Sequence, residues 1–284
     1  MIPRTIRTAL LASALSLAIA ACGGAGGGTN STGPAPSPPP APAPQTPSSS
    51  FAPLSAPPAG VTETTELASY GVIDNVRWNA SSQAYEVTYS GQAATIEAIL
   101  PAAPYAQAGR LRAFDGTLLP PTLQAWTGLA YTRSGYVTGS DNAFAFGLAT
   151  PAGGVPVTGM ATYTADLTGG AFTPEGTAVW GLYGSAKLNF DFAAGTLGGY
   201  MDPHLNGPME TPEVPRYNFV NTIFSPGSTT FSGSFDAAGP TPSSFEGQFT
   251  GPAAQELMAT FRAPYFDSFS ESWGEIRGVM AGKR

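Results

Sequence analysis

The chain is poor in charge, in cysteine and in histidine. Of its 284 residues only 11% are charged, one is Cys and one is His. One cysteine cannot pair within the chain, so no disulfide framework holds this protein together. Tetrahedral zinc sites draw three or four ligands from Cys and His, and two such residues in total leave no room for a site of that kind. Sparse charge removes the i,i+4 ion pairs that support exposed helices, while 35 Gly and 28 Pro interrupt them. Long helices and coiled coils are thereby excluded. A net charge of −7 speaks against nucleic acid, which selects basic surfaces. Common catalytic signatures are missing too: there is no G-x-S-x-G elbow, no phosphate-cradling G-x-x-x-x-G-K-S/T loop and no H-E-x-x-H.

What charge there is at the N-terminus is informative. Arg4 and Arg7 are the only charged residues before Glu63, and a short apolar run from Ala9 to Ile19 follows them. A basic start and a short apolar run make a secretory signal peptide, too short to be a transmembrane helix. The run ends in Ile19-Ala20-Ala21-Cys22, which resembles the bacterial lipobox. Residues 1–21 are therefore expected to be removed and Cys22, the only cysteine, to carry the lipid anchor. The alternative is an ordinary secretory signal with an incidental cysteine. Loss of Arg4 and Arg7 makes the remaining chain more acidic still, so lipid rather than surface charge would hold it at a membrane.

Residues 22–60 read as a tether. From 23 onward they contain eleven of the prolines and no charge, with a glycine cluster at Gly23 to Gly28 and a Pro-Ala-Ser stretch from Pro34 to Pro47. Such a segment cannot bury enough apolar surface to offset its ordering entropy.

A body begins near Val61. Tyr85, Val87 and Tyr89 alternate with Glu86 and Thr88, the pattern of a half-buried strand, and Thr95 to Leu100 offers a partner. Pro101, Pro104, Pro120 and Pro121 then predict irregular connections, so residues 61–127 read as a small, loosely patterned β unit. From residue 128 the pattern sharpens. Strands are expected at 131–138, 142–150, 158–166, 177–182, 186–192, 197–200, 218–224, 229–235, 244–250, 258–263 and 275–281. The clearest has Ala186, Leu188, Phe190 and Phe192 on one face and Lys187, Asn189 and Asp191 on the other. Many short strands with Gly-rich turns predict an all-β sandwich or barrel. Glycines within strands, such as Gly198, Gly233, Gly247 and Gly278, suit barrel corners.

Three spaced blocks carry a resemblance. Pro156-Val157-Thr158-Gly159-Met160-Ala161-Thr162-Tyr163 fits P-x-T-G-x-A-x-Y. Asp191-Phe192-Ala193-Ala194-Gly195-Thr196-Leu197-Gly198-Gly199 fits D-F-x-x-G-T-L-x-G. Phe249-Thr250-Gly251-Pro252-Ala253-Ala254-Gln255-Glu256-Leu257 fits F-x-G-P-x-A-x-E-L. In order and spacing these blocks resemble the β-barrel domain of transferrin-binding protein B. They are closer still to the single-lobed transferrin-binding protein-like solute-binding lipoproteins of Gram-negative bacteria. The resemblance covers residues 128–284 and implies an eight-stranded antiparallel barrel there, filled by its own side chains, with 61–127 as a small handle-like unit. It implies an outer-membrane lipoprotein at the cell surface that binds an iron-bearing protein, heme or another solute, working with a membrane receptor. It implies neither enzymatic activity nor a resident cofactor. One departure is Met258-Ala259, where the family carries glycines after Glu-Leu.

Residue chemistry adds candidates. Asp191 stands beside the turn at 194–196, where a carboxylate accepts turn amides. Pro252 to Leu257 predicts one short helical turn in which Glu256 bonds to backbone. His204, in the polar stretch 200–206 with Met201 and Met209 nearby, could ligate heme or simply be a solvated loop residue. Tyr265, Phe266, Phe269 and Trp273 fall where a hairpin loop should be and are either binding hot spots or a cap on the barrel end. Three functions compete on these grounds: ligand capture for uptake, a structural or assembly role in the outer membrane, and glycan hydrolysis by paired carboxylates.

Overall fold

The structure, a computed structural model, describes residues 57–82, 84–89, 92–103, 106–113, 118–126, 128–137, 142–207 and 210–284. The expected signal peptide at 1–21, Cys22 and the tether up to residue 56 lie outside the described residues, as does Met209.

The described chain is all-β. Strands β1 (Glu66–Gly71), β2 (Ile73–Asn79), β3 (Ala84–Tyr89), β4 (Gln92–Ala103), β5 (Ala106–Ala113), β6 (Leu118–Trp126), β7 (Thr132–Val137) and β8 (Asn142–Gly147) follow one another. Each pairs antiparallel with the next, and β8 returns to β1 to close a first barrel. A second closed, eight-stranded barrel follows: β9 (Met160–Phe172), β10 (Ala178–Asp191), β11 (Thr196–Asn206), β12 (Tyr217–Ile223), β13 (Thr230–Phe235), β14 (Ser244–Thr250), β15 (Glu256–Asp267) and β16 (Ser272–Lys283). β16 closes onto β9 from Glu275 opposite Phe172 to Lys283 opposite Thr164.

Sequence and structure part company at three places. The sheets divide between β8 and β9, at 148–159, rather than at 127/128: β7 and β8 hydrogen-bond into the first barrel. The reason lies in Ala143-Phe144-Ala145-Phe146. Phe144 and Phe146 point into the first barrel's core, with Leu67, Ile73, Val76, Trp78, Tyr85 and Val87. Ala143 and Ala145 point outward and are buried against Met258 and Val279 of the second barrel. Small residues on that face let the two sheets approach. Second, strands run through the prolines at 101, 120 and 121. The ladder shifts register at each place, between Pro101 and Ala103 in β4 and opposite Pro120 and Pro121 in β5–β6, so the missing N–H groups fall at bulges. Third, residues 251–254 form a turn, not a helix, and Glu256 opens β15.

The core of the second barrel is aromatic. Phe190 is fully buried and its ring lies 4.9 Å from Phe249, 5.1 Å from Phe231, 5.2 Å from Phe224 and 5.5 Å from Tyr163. The three sequence blocks meet here. Tyr163 of the first donates its hydroxyl hydrogen bond to the Ala254 carbonyl of the third, while Phe192 of the second packs on Phe190 and on Phe249 of the third. Burial pushes the Tyr163 hydroxyl up to about 12, which keeps it protonated as a donor. Asp191 accepts bonds from the Ala193 and Ala194 amides at 3.0 and 2.9 Å and so pins the β10–β11 turn. Where β9 and β16 meet, Gly169 lies opposite Gly278, and a Cβ on Gly278 would fall 2.2 Å from the Thr168 carbonyl oxygen.

The third block also clasps the two barrels together. Glu256 is 4% exposed, and its two carboxylate oxygens accept the Ala130 and Tyr131 amides at 2.6 and 2.9 Å. The Thr132 and Thr250 hydroxyls meet at 2.7 Å, and the Gly251 amide donates to the Leu148 carbonyl at 2.8 Å. Gly251 has φ +81°, and a side chain there would strike the Tyr131 ring.

Asp166 lies in the same seam, in a hollow it shares with Lys283, Gly128 and Ser134. Although Asp166 keeps solvent-exposed surface, the walls of the hollow partly desolvate its carboxyl and push it above the usual range, and the Lys283 ammonium offsets part of that rise. An acid whose pKa rises on folding favours the fold below its unfolded value and loses that advantage as pH climbs through the folded one. Asp166→Asn is therefore expected to raise the denaturation midpoint at about pH 7 and leave it unchanged at about pH 3, where the unfolded carboxyl is also neutral. Denaturant titrations at both pH values test this, and an equal effect at both would contradict it.

Candidate functional site

The β15–β16 hairpin presents the largest exposed aromatic group described. The strands pair continuously from Glu256 opposite Lys283 to Asp267 opposite Ser272. Period-two alternation sends Leu257, Ala259, Phe261, Ala263 and Tyr265 inward and leaves Phe266 outward. At the tip Asp267 accepts the amides of Phe269 and Ser270 at 2.9 and 3.4 Å, while the Ser270 and Ser272 hydroxyls meet at 2.8 Å. Glu271 takes a positive φ of 50° to complete the turn. Phe269 is left 57% exposed, Phe266 45% and Trp273 39%.

Two of these rings, Phe266 and Trp273, are held in place. Phe266 stands edge-on to Trp273 with centroids 5.5 Å apart. Trp273 in turn lies over Gly239, in the connection between β13 and β14, where a Cβ would fall 3.0 Å from its ring and 2.5 Å from Pro264.

Of the aromatic residues singled out in the sequence, the structure pairs Phe266 with Trp273, leaves Phe269 exposed at the turn of the same hairpin and sets Tyr265 apart. Tyr265 is 2% exposed and part of the barrel core; burial, with Asp267 adding to it, pushes its hydroxyl up to about 12. His204 is not in a loop. It sits on β11, opposite Tyr183 of β10, with the two rings 5.5 Å apart on the outer wall. β9 and β10 lie between β11 and β16 in the barrel order, so His204 does not join the hairpin site. Met201 points into the core, fully buried, and cannot act with His204 on one ligand. Strand pairing with β10 carries the chain straight through Pro203, which the polar composition of 200–206 had disguised. Arg216 bonds Asp202 through Nη2 at 3.1 Å and lies over the Tyr200 ring, 4.1 Å from its centroid. The Arg216 hydrogen bond holds the Asp202 carboxyl below the usual carboxylate range.

Beside the hairpin, along the outer wall of β12 to β16, runs a groove of about 620 Å³. Ser232, Ser244, Glu246, Arg262, Glu275 and Arg277 are among the residues that line it. It continues towards the first barrel through a hollow of about 370 Å³ that shares Thr260 and Arg277 and is bounded on the far side by Gly71 and Asn142. Sequence reasoning missed these charged residues. Arg262 and Arg277 are fifteen positions apart, and only the hairpin register shows that they face one another. Among the described residues no three His, Cys, Asp or Glu side chains gather as a metal site.

No protein-family model matches the sequence, and no curated protein does. Solved structures similar to this chain are transferrin-binding protein B, the family that the three sequence blocks resemble. A double mutant of the Haemophilus parasuis Hp5 protein is 18% identical, with 77% of this chain and 44% of that one covered at a TM-score of 0.49. The isotype 1 protein from serogroup B Neisseria meningitidis is 15% identical, with 78% and 43% covered at a TM-score of 0.44. Intact Ap-TbpB, with N and C lobes, is 13% identical, with 70% and 63% covered at a TM-score of 0.40. The chain spans less than two thirds of the length of each.

Proposed function

We propose that this protein is a lipid-anchored binding protein of the outer membrane that captures an extracellular ligand at the cell surface as an accessory to uptake. Cys22 carries the anchor, residues 22–60 hold the body away from the bilayer, and a membrane receptor takes over the captured cargo. The ligand is an iron-bearing protein, heme or another solute. The protein acts by binding rather than by catalysis. The lipobox and tether support the location; the exposed Phe266–Trp273 pair, with Phe269 exposed on the same hairpin, is the observation that carries the binding role. Large aromatic side chains with few rotamers provide contact area at low entropic cost, which is why such clusters form hot spots.

Iron-loaded transferrin and hemin are the probes that test it. With the full-length protein immobilised, one of the two is expected to bind, and the double change Phe266→Ala with Trp273→Ala to weaken it by roughly tenfold or more. The melting temperature should move little, since both side chains are partly solvated. If neither probe binds, or if the double variant binds as the parent does, the proposal fails. Surface display has its own check: protease added to whole cells should remove the protein.

A further inference from the structure

Arg262 of β15 and Arg277 of β16 are directly opposite one another in the hairpin, and both point outward. Side chains so placed have Cβ atoms about 5 Å apart, and like charges there destabilise the sheet. The usual relief would be an ion pair with Glu246 or Glu275, which flank them on the same wall. Among the described residues neither arginine makes one. Each guanidinium is held by a neutral partner instead. Arg277 lies over the Phe172 ring, 3.7 Å from its centroid, and Arg262 donates through Nε to the Ser244 hydroxyl at 3.1 Å. Stacking and a single Nε bond fix the two forks while leaving their terminal N–H groups unspent. Both arginines line the groove of about 620 Å³, together with Ser232 and Ser244.

We propose that Arg262 and Arg277 form a binding site for a small oxyanion, a phosphate or carboxylate group, seated in this groove. One oxyanion between the two forks relieves their repulsion and accepts charge-assisted hydrogen bonds from both. Ser232 and Ser244, which line the same groove, then offer hydroxyls to the remainder of the ligand. Glu246 and Glu275 set the upper limit on its charge, because they repel an anion that spreads beyond the arginines. This site stands on different side chains from the aromatic hairpin and is independent of the capture reading.

The test is calorimetric titration of the full-length protein with inorganic phosphate and, separately, with citrate. At least one is expected to bind, and which one does so identifies the oxyanion. Arg262→Gln and Arg277→Gln should each weaken that binding roughly tenfold or more. Arg262→Lys and Arg277→Lys keep the charge but not the fork, so they should lose part of the affinity while preserving the fold. Glu246→Gln should tighten binding by roughly twofold or more, an effect that a purely structural role would not produce. If neither probe binds, or if all the arginine variants bind as the parent does, the site is refuted. The hairpin reading is judged on hemin and transferrin, so the two can fail separately.

Discussion

Phe190→Ala is expected to destabilise the second barrel by about 3–5 kcal/mol, the range for removing a fully buried phenylalanine. The side chain has no exposed surface, and five aromatic rings, those of Tyr163, Phe192, Phe224, Phe231 and Phe249, stand within 5.9 Å of it. Tyr163, Phe231 and Phe249 are fixed on three different strands of the closed sheet, β9, β13 and β14, so they cannot collapse freely into the void. The loss therefore includes a cavity term as well as the transfer term. Against a typical total of about 5–15 kcal/mol, that is enough to move the unfolding midpoint far down in denaturant. Met160→Ala, at a residue 78% exposed in the adjacent strand, is the control and should stay within about 0.5 kcal/mol. A Phe190→Ala shift below about 1 kcal/mol would mean that the barrel interior is not packed around this ring.

Glu256→Ala is the second large effect, expected at about 2–4 kcal/mol. The carboxylate satisfies two main-chain N–H groups, those of Ala130 and Tyr131, which begin the segment leading into β7. Alanine leaves both donors without their acceptor, and an unmet buried donor costs more than the bond itself contributed. Glu256→Gln retains one acceptor oxygen and should lose about half as much. The effect should be localised. With the clasp gone, the first barrel is left with weaker ties, among them the Thr132–Thr250 bond, the Gly251 amide, the Lys283 bond to the Gly128 carbonyl and the apolar contact of Ala143 and Ala145 on Met258 and Val279. Scanning calorimetry is then expected to resolve two transitions where the parent shows one. A single transition with an unchanged midpoint would overturn the clasp.

Much of the second barrel was legible in the sequence. Leu188, Phe190 and Phe192 alternate with Lys187, Asn189 and Asp191, and the structure buries the first set and turns the second outward. Asp191 beside Gly195 gave the turn and its carboxylate's partners. The first barrel was harder to read. Prolines at 101, 120 and 121 argue against strands until the bulges that accommodate them are visible. The candidate site was half legible: the aromatic composition of 265–273 marked the hairpin, but not which rings face out. Tyr265 and Phe266 are neighbours of similar chemistry, and one step of strand phase puts the first in the core and the second in solvent.

By itself the sequence determined the all-β class, the position of most strands in the second barrel and the turn at Asp191. These follow from period-two burial and turn chemistry, which act between residues two or three apart. Tertiary structure alone decided that β7 and β8 join the first barrel, that Glu256 reaches amides some 125 positions away, and that Arg262 faces Arg277 across a groove. Each of these depends on pairing between distant segments. Strand pairing is made by backbone groups common to every residue, so local composition leaves the choice of partner and register open until the sheets close.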